Sequence, residues 1–297
     1  MRRKVVRIAS LLFLVLLAFA IVELRWARRW NRTCYPARRP VTAEARAALA
    51  TAGPRVEDVT FQAADGLTLH GWMVPSTNGC VLVVGHGLGE NRTQWTDVAI
   101  EIAKHGCGAL LFDWRAHGES DGTTATWGDA EQADFSAAID FASKRPDVSP
   151  DRIVGFGFSI GASAVAMESA RDPRVRGVIL AAVWPSLDEE MDYKEQRFGA
   201  LSAWPSKAGL RHAGVRLDRV RPIDVVGSIA PRPLLLVTGD ADDDTPLDVE
   251  TRVFAAAGEP KTMWIAKGAG HGEYLAADRV GFLGAITSFL IAHRFVE

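Results

Sequence analysis

Ser159 lies in Gly157-Phe158-Ser159-Ile160-Gly161. The apolar run Arg152-Ile153-Val154-Gly155-Phe156 stands directly before it, and the small-residue, helix-compatible stretch Ala162-Ser163-Ala164-Val165-Ala166-Met167-Glu168 follows it. A strand that breaks into Gly-x-Ser-x-Gly and continues as a helix is the setting that lifts a serine hydroxyl above a sheet edge as a nucleophile. The turn requires a strained backbone at the serine. Strand and helix pack too closely for side chains at the two flanking positions, so glycine suits both. In a chain with 27 glycines the five-residue motif is weak by itself, so its partners decide.

A serine hydroxyl is a poor nucleophile near neutral pH. It needs a base, and the base needs an orienting acid. Both follow Ser159 in the chain. Pro233-Leu234-Leu235-Leu236-Val237-Thr238-Gly239 has the composition of a buried strand and ends in the acidic run Asp240, Asp242, Asp243 and Asp244. A later strand, Lys261-Thr262-Met263-Trp264-Ile265-Ala266, runs into Gly268-Ala269-Gly270-His271-Gly272. Of the seven histidines, His271 is the one that follows the acids in a glycine-rich loop at a strand end.

With these residues in place the chain resembles the α/β-hydrolase family, over roughly residues 55–297. Four motifs agree in order. They are His86-Gly87-Leu88-Gly89, Asp113-Trp114-Arg115-Ala116-His117-Gly118-Glu119-Ser120, the Gly157–Gly161 elbow, and Gly239-x-x-Asp242 followed by His271. The resemblance implies a mostly parallel, doubly wound sheet with helices on both faces, and a catalytic triad of Ser159, His271 and Asp242. It selects Asp242 because the family places its acid three residues after the strand-ending glycine; Asp240, Asp243 and Asp244 are its competitors. An attacked carbonyl becomes an oxyanion that needs two donors already aimed at it. One is the backbone N–H of Ile160 at a helix N-terminus. The resemblance assigns the other to the N–H of Leu88. His86, Asp113 and His117 are expected to brace loops and not to take part in the chemistry. Trp114 and Trp184 each follow a strand end, where ligands bind in such sheets, and are expected to line a substrate pocket.

Other chemistries fit poorly. Gly155, Gly157 and Gly161 miss the dinucleotide pattern because Ile160 occupies its last glycine position. Asp240-x-Asp242-x-Asp244 imitates the start of a calcium loop but has Thr245 and Thr251 where glycine and glutamate are required. Zinc-ligand spacings and phosphate-loop motifs are absent, so neither metal nor cofactor is expected. A net charge of −2 with dispersed basic residues leaves no footprint for nucleic acid.

Hydrophobic residues make up 48% of the chain and charged residues 24%, a balance that suits one α/β domain after the N-terminal segment. Arg2, Arg3, Lys4 and Arg7 precede an apolar run from Ile8 to Val22, and Arg25, Arg28, Arg29 and Arg32 follow it. As a helix that run covers about 22 Å, short of the ~30 Å hydrocarbon core, but Val5, Val6 and Leu24 extend it and arginines snorkel. Residues 1–32 are therefore expected to be a single-span anchor, with Trp26 and Trp30 at the lipid interface; four basic residues on each side leave the orientation undecided by charge, and the domain is expected outside the cytoplasm as is common for N-terminal anchors. Cleavage at Ala18-Phe19-Ala20 would instead release a secreted protein.

Residues 33–54, with Pro36, Pro40 and Pro54, are expected to form a juxtamembrane linker, and residues 55–297 the hydrolase domain. Strands are expected at 56–61, 67–74, 81–85, 109–113, 152–156, 176–182, 233–238 and 261–266, and the clearest helix at Asp129–Ser143. The segment 184–226, with Trp184, Tyr193, Phe198 and Trp204, is expected to be a small cap. Cys34, Cys80 and Cys107 are expected to be reduced and buried. The resemblance makes the strands of Cys80 and Cys107 neighbours, and a bond between them would indicate an oxidising compartment.

The whole reads as a membrane-anchored serine hydrolase acting on a small-molecule or lipid-like acyl substrate, an ester before a thioester or amide. An acyltransferase or peptidase would use the same residues. The alternative of another class is a non-catalytic binding or scaffold protein on the same fold.

Overall fold

Gly79–Gly85, Gly108–Phe112 and Leu234–Gly239 are apolar at nearly every position, as strands must be when helices cover both faces of their sheet. The computed structural model describes residues 2–51, 56–196, 199 and 202–297. Pro54 of the expected linker and Phe198 of the expected cap lie outside the described residues. The helices are α1 (Arg2–Thr33), α2 (Ala43–Ala50), α3 (Thr96–Ala103), α4 (Glu131–Ser143), α5 (Ile160–Arg171), α6 (Leu187–Glu195), α7 (Ala203–His212), α8 (Pro222–Val225), α9 (Leu247–Ala256) and α10 (Tyr274–Ala292). The strands are β1 (Glu57–Gln62), β2 (Thr68–Val74), β3 (Gly79–Gly85), β4 (Gly108–Phe112), β5 (Val148–Phe158), β6 (Val175–Ala181), β7 (Leu234–Gly239) and β8 (Lys261–Ala266).

They form one sheet in the order β1-β2-β4-β3-β5-β6-β7-β8. β1 and β2 are antiparallel and the pairings from β4 to β8 are parallel, which is the α/β-hydrolase fold that the sequence predicts. Alternate residues of β3 go to opposite faces. Leu82 and Val84 pack with Trp95, Ile102 and Phe282 from the side of α3 and α10. Val81 and Val83 pack with Phe135, Ile139 and Val165 from the side of α4 and α5. Chain order departs from β3 to β4 on one side and to β5 on the other, so the crevice at the C-terminal strand ends lies between β3 and β5.

Two expectations are corrected. Trp26 and Trp30 do not face outward at the end of α1. Their indole N–H groups donate to Glu195 Oε2 and Oε1 of α6, each at 2.6 Å. The segment after residue 33 is bonded to the domain: the Arg38 guanidinium donates to the carbonyls of His117, Gly118, Ser120 and Gly122, and the Cys34 carbonyl accepts from Ala125 N–H. Cys80 and Cys107 are joined as a disulfide with a Cα–Cα distance of 4.6 Å. Register is the reason: Val81 lies opposite Gly108 on neighbouring parallel strands, which sets the preceding residues side by side. Cys34 is free and buried.

Candidate active site

Ser159 connects β5 to α5 with φ 56° and ψ −118°, a backbone conformation that L-residues rarely adopt. Its N–H donates to the Ala181 carbonyl at the end of β6. The flanking glycines answer to backbone and not to side chains. A Cβ on Gly157 would overlap the Gly161 carbonyl, and one on Gly161 would stand 2.7 Å from the carbonyl oxygens of both Gly85 and His86. Strand and helix meet here without room for a methyl group.

The loops after β7 and β8 bring two more side chains to this turn. His271 Nε2 is 3.1 Å from Ser159 Oγ, and His271 Nδ1 is 2.8 Å from Asp242 Oδ2. Asp242 Oδ1 accepts from the N–H groups of Asp244 and Thr245, each at 2.8 Å, so the carboxylate is held at both oxygens. Two of the competing acids have other partners. Asp240 accepts from Gly268 N–H and braces the histidine loop, and Asp244 pairs with Lys194 of the cap. Gly239 is glycine because a Cβ there would overlap the Ala269 carbonyl.

Opposite the serine, the 86–89 loop is fixed by two neutral imidazoles. Burial holds His86 well below its ordinary pKa; its Nδ1 donates to the Gly87 carbonyl and its Nε2 accepts from Trp114 N–H. Burial pushes His117 down to about 4; its Nδ1 donates to the Arg115 carbonyl and its Nε2 accepts from Gly89 N–H at 3.0 Å. Asp113 accepts from the N–H groups of Arg92 and Glu119 and pairs with the Arg92 guanidinium, while burial raises its pKa. Among the described residues no protein acceptor takes the N–H of Leu88 or of Ile160. Both residues border the cavity over Ser159.

That cavity has a volume of about 400 Å³, within the range of small-molecule sites. Trp127 and Trp184 form its apolar wall and Lys194 and Asp244 stand at its charged side. Trp184 lines the cavity. Trp114 does not. It is fully buried, packed on Phe112 and Phe135, and donates its indole N–H to the His86 carbonyl beneath the loop. Its ring turns down into the core.

Sequence reasoning missed Trp127, Lys194, Glu190 and Glu250. Lys194 Nζ bridges Glu190 at 3.1 Å and Asp244 at 2.9 Å, and burial raises Glu190 to about 7. Glu250, buried beside Asp242, accepts from Val183 N–H, and burial raises its pKa well above the ordinary value. No local motif announces these residues; the cap brings in Glu190 and Lys194, α9 brings in Glu250, and the loop between β4 and α4 brings in Trp127.

A family model described as "Alpha/beta hydrolase family" matches residues 81–281. An uncharacterized protein of Mycobacterium tuberculosis is 31% identical over 93% of this chain and 92% of its own length. A polyketide transferase of Stachybotrys chlorohalonatus is 29% identical over 72% of this chain and 89% of its own. Among solved structures, an esterase of Pyrococcus furiosus superimposes with a TM-score of 0.72 at 22% identity, covering 86% of this chain and 97% of that one, a likeness of fold.

Proposed function

The chain belongs to the α/β-hydrolase family, and on that premise we propose that it is a serine hydrolase that cleaves a carboxylic ester through an acyl-enzyme. Ser159 Oγ attacks the carbonyl while His271 Nε2 takes its proton. Asp242 fixes the imidazole tautomer and stabilises the charged ring. The oxyanion is received by the N–H groups of Leu88 and Ile160, and α5 turns its positive end toward it. His271 returns the proton to the leaving alkoxide. Water, activated by the same imidazole, then releases the acid. The observation that carries this reading is the hydrogen-bonded line from Ser159 through His271 to Asp242 at a strained turn. In this reading α1 anchors the protein through its exposed apolar stretch, Leu11 to Val22, with the domain outside the cytoplasm. The Cys80–Cys107 bond suits an oxidising compartment.

A fluorophosphonate probe tests the chemistry. Labelling of the wild type that disappears in Ser159→Ala, together with a fall of at least ~10³ in kcat/KM on aryl esters, is expected. No labelling of the wild type, or equal labelling of the variant, defeats the reading. The relative named a polyketide transferase favours a second reading, in which an alcohol or amine replaces water in the second step on the same residues. Product analysis with added acceptors separates the two.

A further inference from the structure

The end of α1 reaches the Ser159 cavity through two layers of aromatic rings. Trp30 lies 5.7 Å from Trp127, centroid to centroid, and Trp127 lies 6.4 Å from Trp184. Trp127 and Trp184 line the cavity, and Ile160 belongs to the same apolar cluster as Trp30. Trp127 has φ 58°, unusual for so bulky a residue. Its loop is pinned on both sides. Glu131 accepts from the N–H groups of Thr126 and Gly128, and the Cys34 carbonyl, just past α1, accepts from Ala125. A strained residue held by its surroundings at a cavity wall is the kind of outlier that signals function.

The cap helices are tied to α1 as directly. Glu195 of α6 receives both indole N–H groups, from Trp26 and Trp30. The residue before it, Lys194, bridges to Asp244, whose own N–H is bound to Asp242. α7 approaches α1 so closely at Gly209 that a Cβ there would overlap the Ala27 carbonyl.

We propose that the last turns of α1 are part of the lid over the substrate cavity, so that the helix carrying the apolar run also fixes the pocket roof and with it the preference for acyl chains long enough to reach Trp127 and Trp184. This rests on the serine-hydrolase reading and deepens it. Trp26, Trp30 and Glu195 are positioning residues; they act through the Trp127 loop and α6 and do not touch the reacting atoms.

The test uses the full chain in detergent micelles with aryl esters from acetyl to decanoyl. Gly209→Leu wedges α1 from α7, and the double variant Trp26→Phe/Trp30→Phe keeps two rings while removing both donors to Glu195. Gly209→Leu is expected to raise KM for decanoyl esters about tenfold while acetyl-ester kcat/KM and the labelling rate of Ser159 stay within about twofold; the double variant is expected to show about a threefold rise. Should Gly209→Leu fail to fold, the double variant, which keeps an aromatic ring at both positions, carries the test. A chain-length profile unchanged from wild type in the folded variants overturns the proposal. Amide hydrogen exchange of residues 125–128 and of α6, expected to quicken in both variants, reads the docking independently of activity. Unchanged exchange there overturns the docking even if the hydrolase reading stands, and absent probe labelling of the wild type defeats that reading while exchange still reports on the lid.

Discussion

The floor and the roof of the Ser159 cavity are built by opposite means. In the floor, β3, β4, β5 and their loops bring backbone against backbone. A Cβ on Gly161 would stand 2.7 Å from two carbonyl oxygens, His86 and His117 are neutral imidazoles with a partner at each nitrogen, and Asp113 holds two N–H groups and a guanidinium. In the roof, side chains from α1, α6 and the loop after β7 meet through long-range ion pairs and ring contacts. Here the buried Glu190 carboxyl has Lys194 Nζ at 3.1 Å, and among the described residues the Trp184 indole N–H has no acceptor. A floor of this kind is pre-organised for one reaction, because its donors cannot move away from the charge they must receive. A roof of this kind can repack around different acyl groups, because side chains are easier to move than backbone.

The comparison breaks most decisively at its tightest point. Gly161→Ala adds a methyl group where neither neighbouring carbonyl can retreat without moving β3 or the 86–89 loop. We expect a loss of about 2–3 kcal/mol in stability and at least a hundredfold in kcat/KM, from displacement of the serine relative to its oxyanion donors. Urea unfolding and aryl-ester kinetics measure both. Near-wild-type activity in Gly161→Ala would show that the floor yields as readily as the roof.

The same contrast explains what was legible in the sequence. Floor positions are set by local backbone demands that leave marks in sequence: a serine between glycines, a glycine ending a strand, a histidine in a glycine-rich loop. Alternating apolar strands and helices gave the sheet for the same reason, since burial on both faces forces continuous apolar runs. Roof positions carry no such mark. Trp127 looks like any loop aromatic, Glu190 and Lys194 like ordinary charges on a helix face, and Trp26 and Trp30 like an interfacial pair. Only the fold shows that Glu195 lies between the last two, or that Trp114 turns into the core while Trp184 turns to the cavity. The Cys80–Cys107 bond depends on the register of two strands, which composition does not reveal.

A milder perturbation of the floor leaves its backbone whole. His117→Ala removes the acceptor for Gly89 N–H without touching either proposed oxyanion donor. The loop then loses one fixed point, and kcat should fall about tenfold to a hundredfold, short of the 10²–10³ typical of losing a donor outright, with KM within about threefold. If KM rises and kcat holds, the imidazole serves the pocket and not the oxyanion loop, and the division between floor and roof must be redrawn.

The smallest effect belongs to the roof and is read in stability. Burial raises Glu190 to about 7 from an ordinary 4.5. The folded chain therefore keeps this proton across a pH range in which the unfolded chain has released it. Stability from this group is complete below about pH 4.5, declines as pH rises toward 7, and is flat above that. The decline amounts to about 3 kcal/mol, the attraction of Lys194 being already contained in that shift. His117, pushed down to about 4, acts in the opposite sense: its contribution is present above its ordinary 6.5 and lost as pH falls toward 4. The two partly cancel in the wild type, so the wild-type profile alone cannot separate them. Glu190→Gln removes one and leaves the other. Its stability relative to wild type, from urea unfolding at pH 5 and pH 8, should improve by about 1–3 kcal/mol at the higher pH. A variant whose pH dependence parallels the wild type would mean that the Glu190 carboxyl is already charged at pH 5, and that the roof compensates its charges as fully as the floor does.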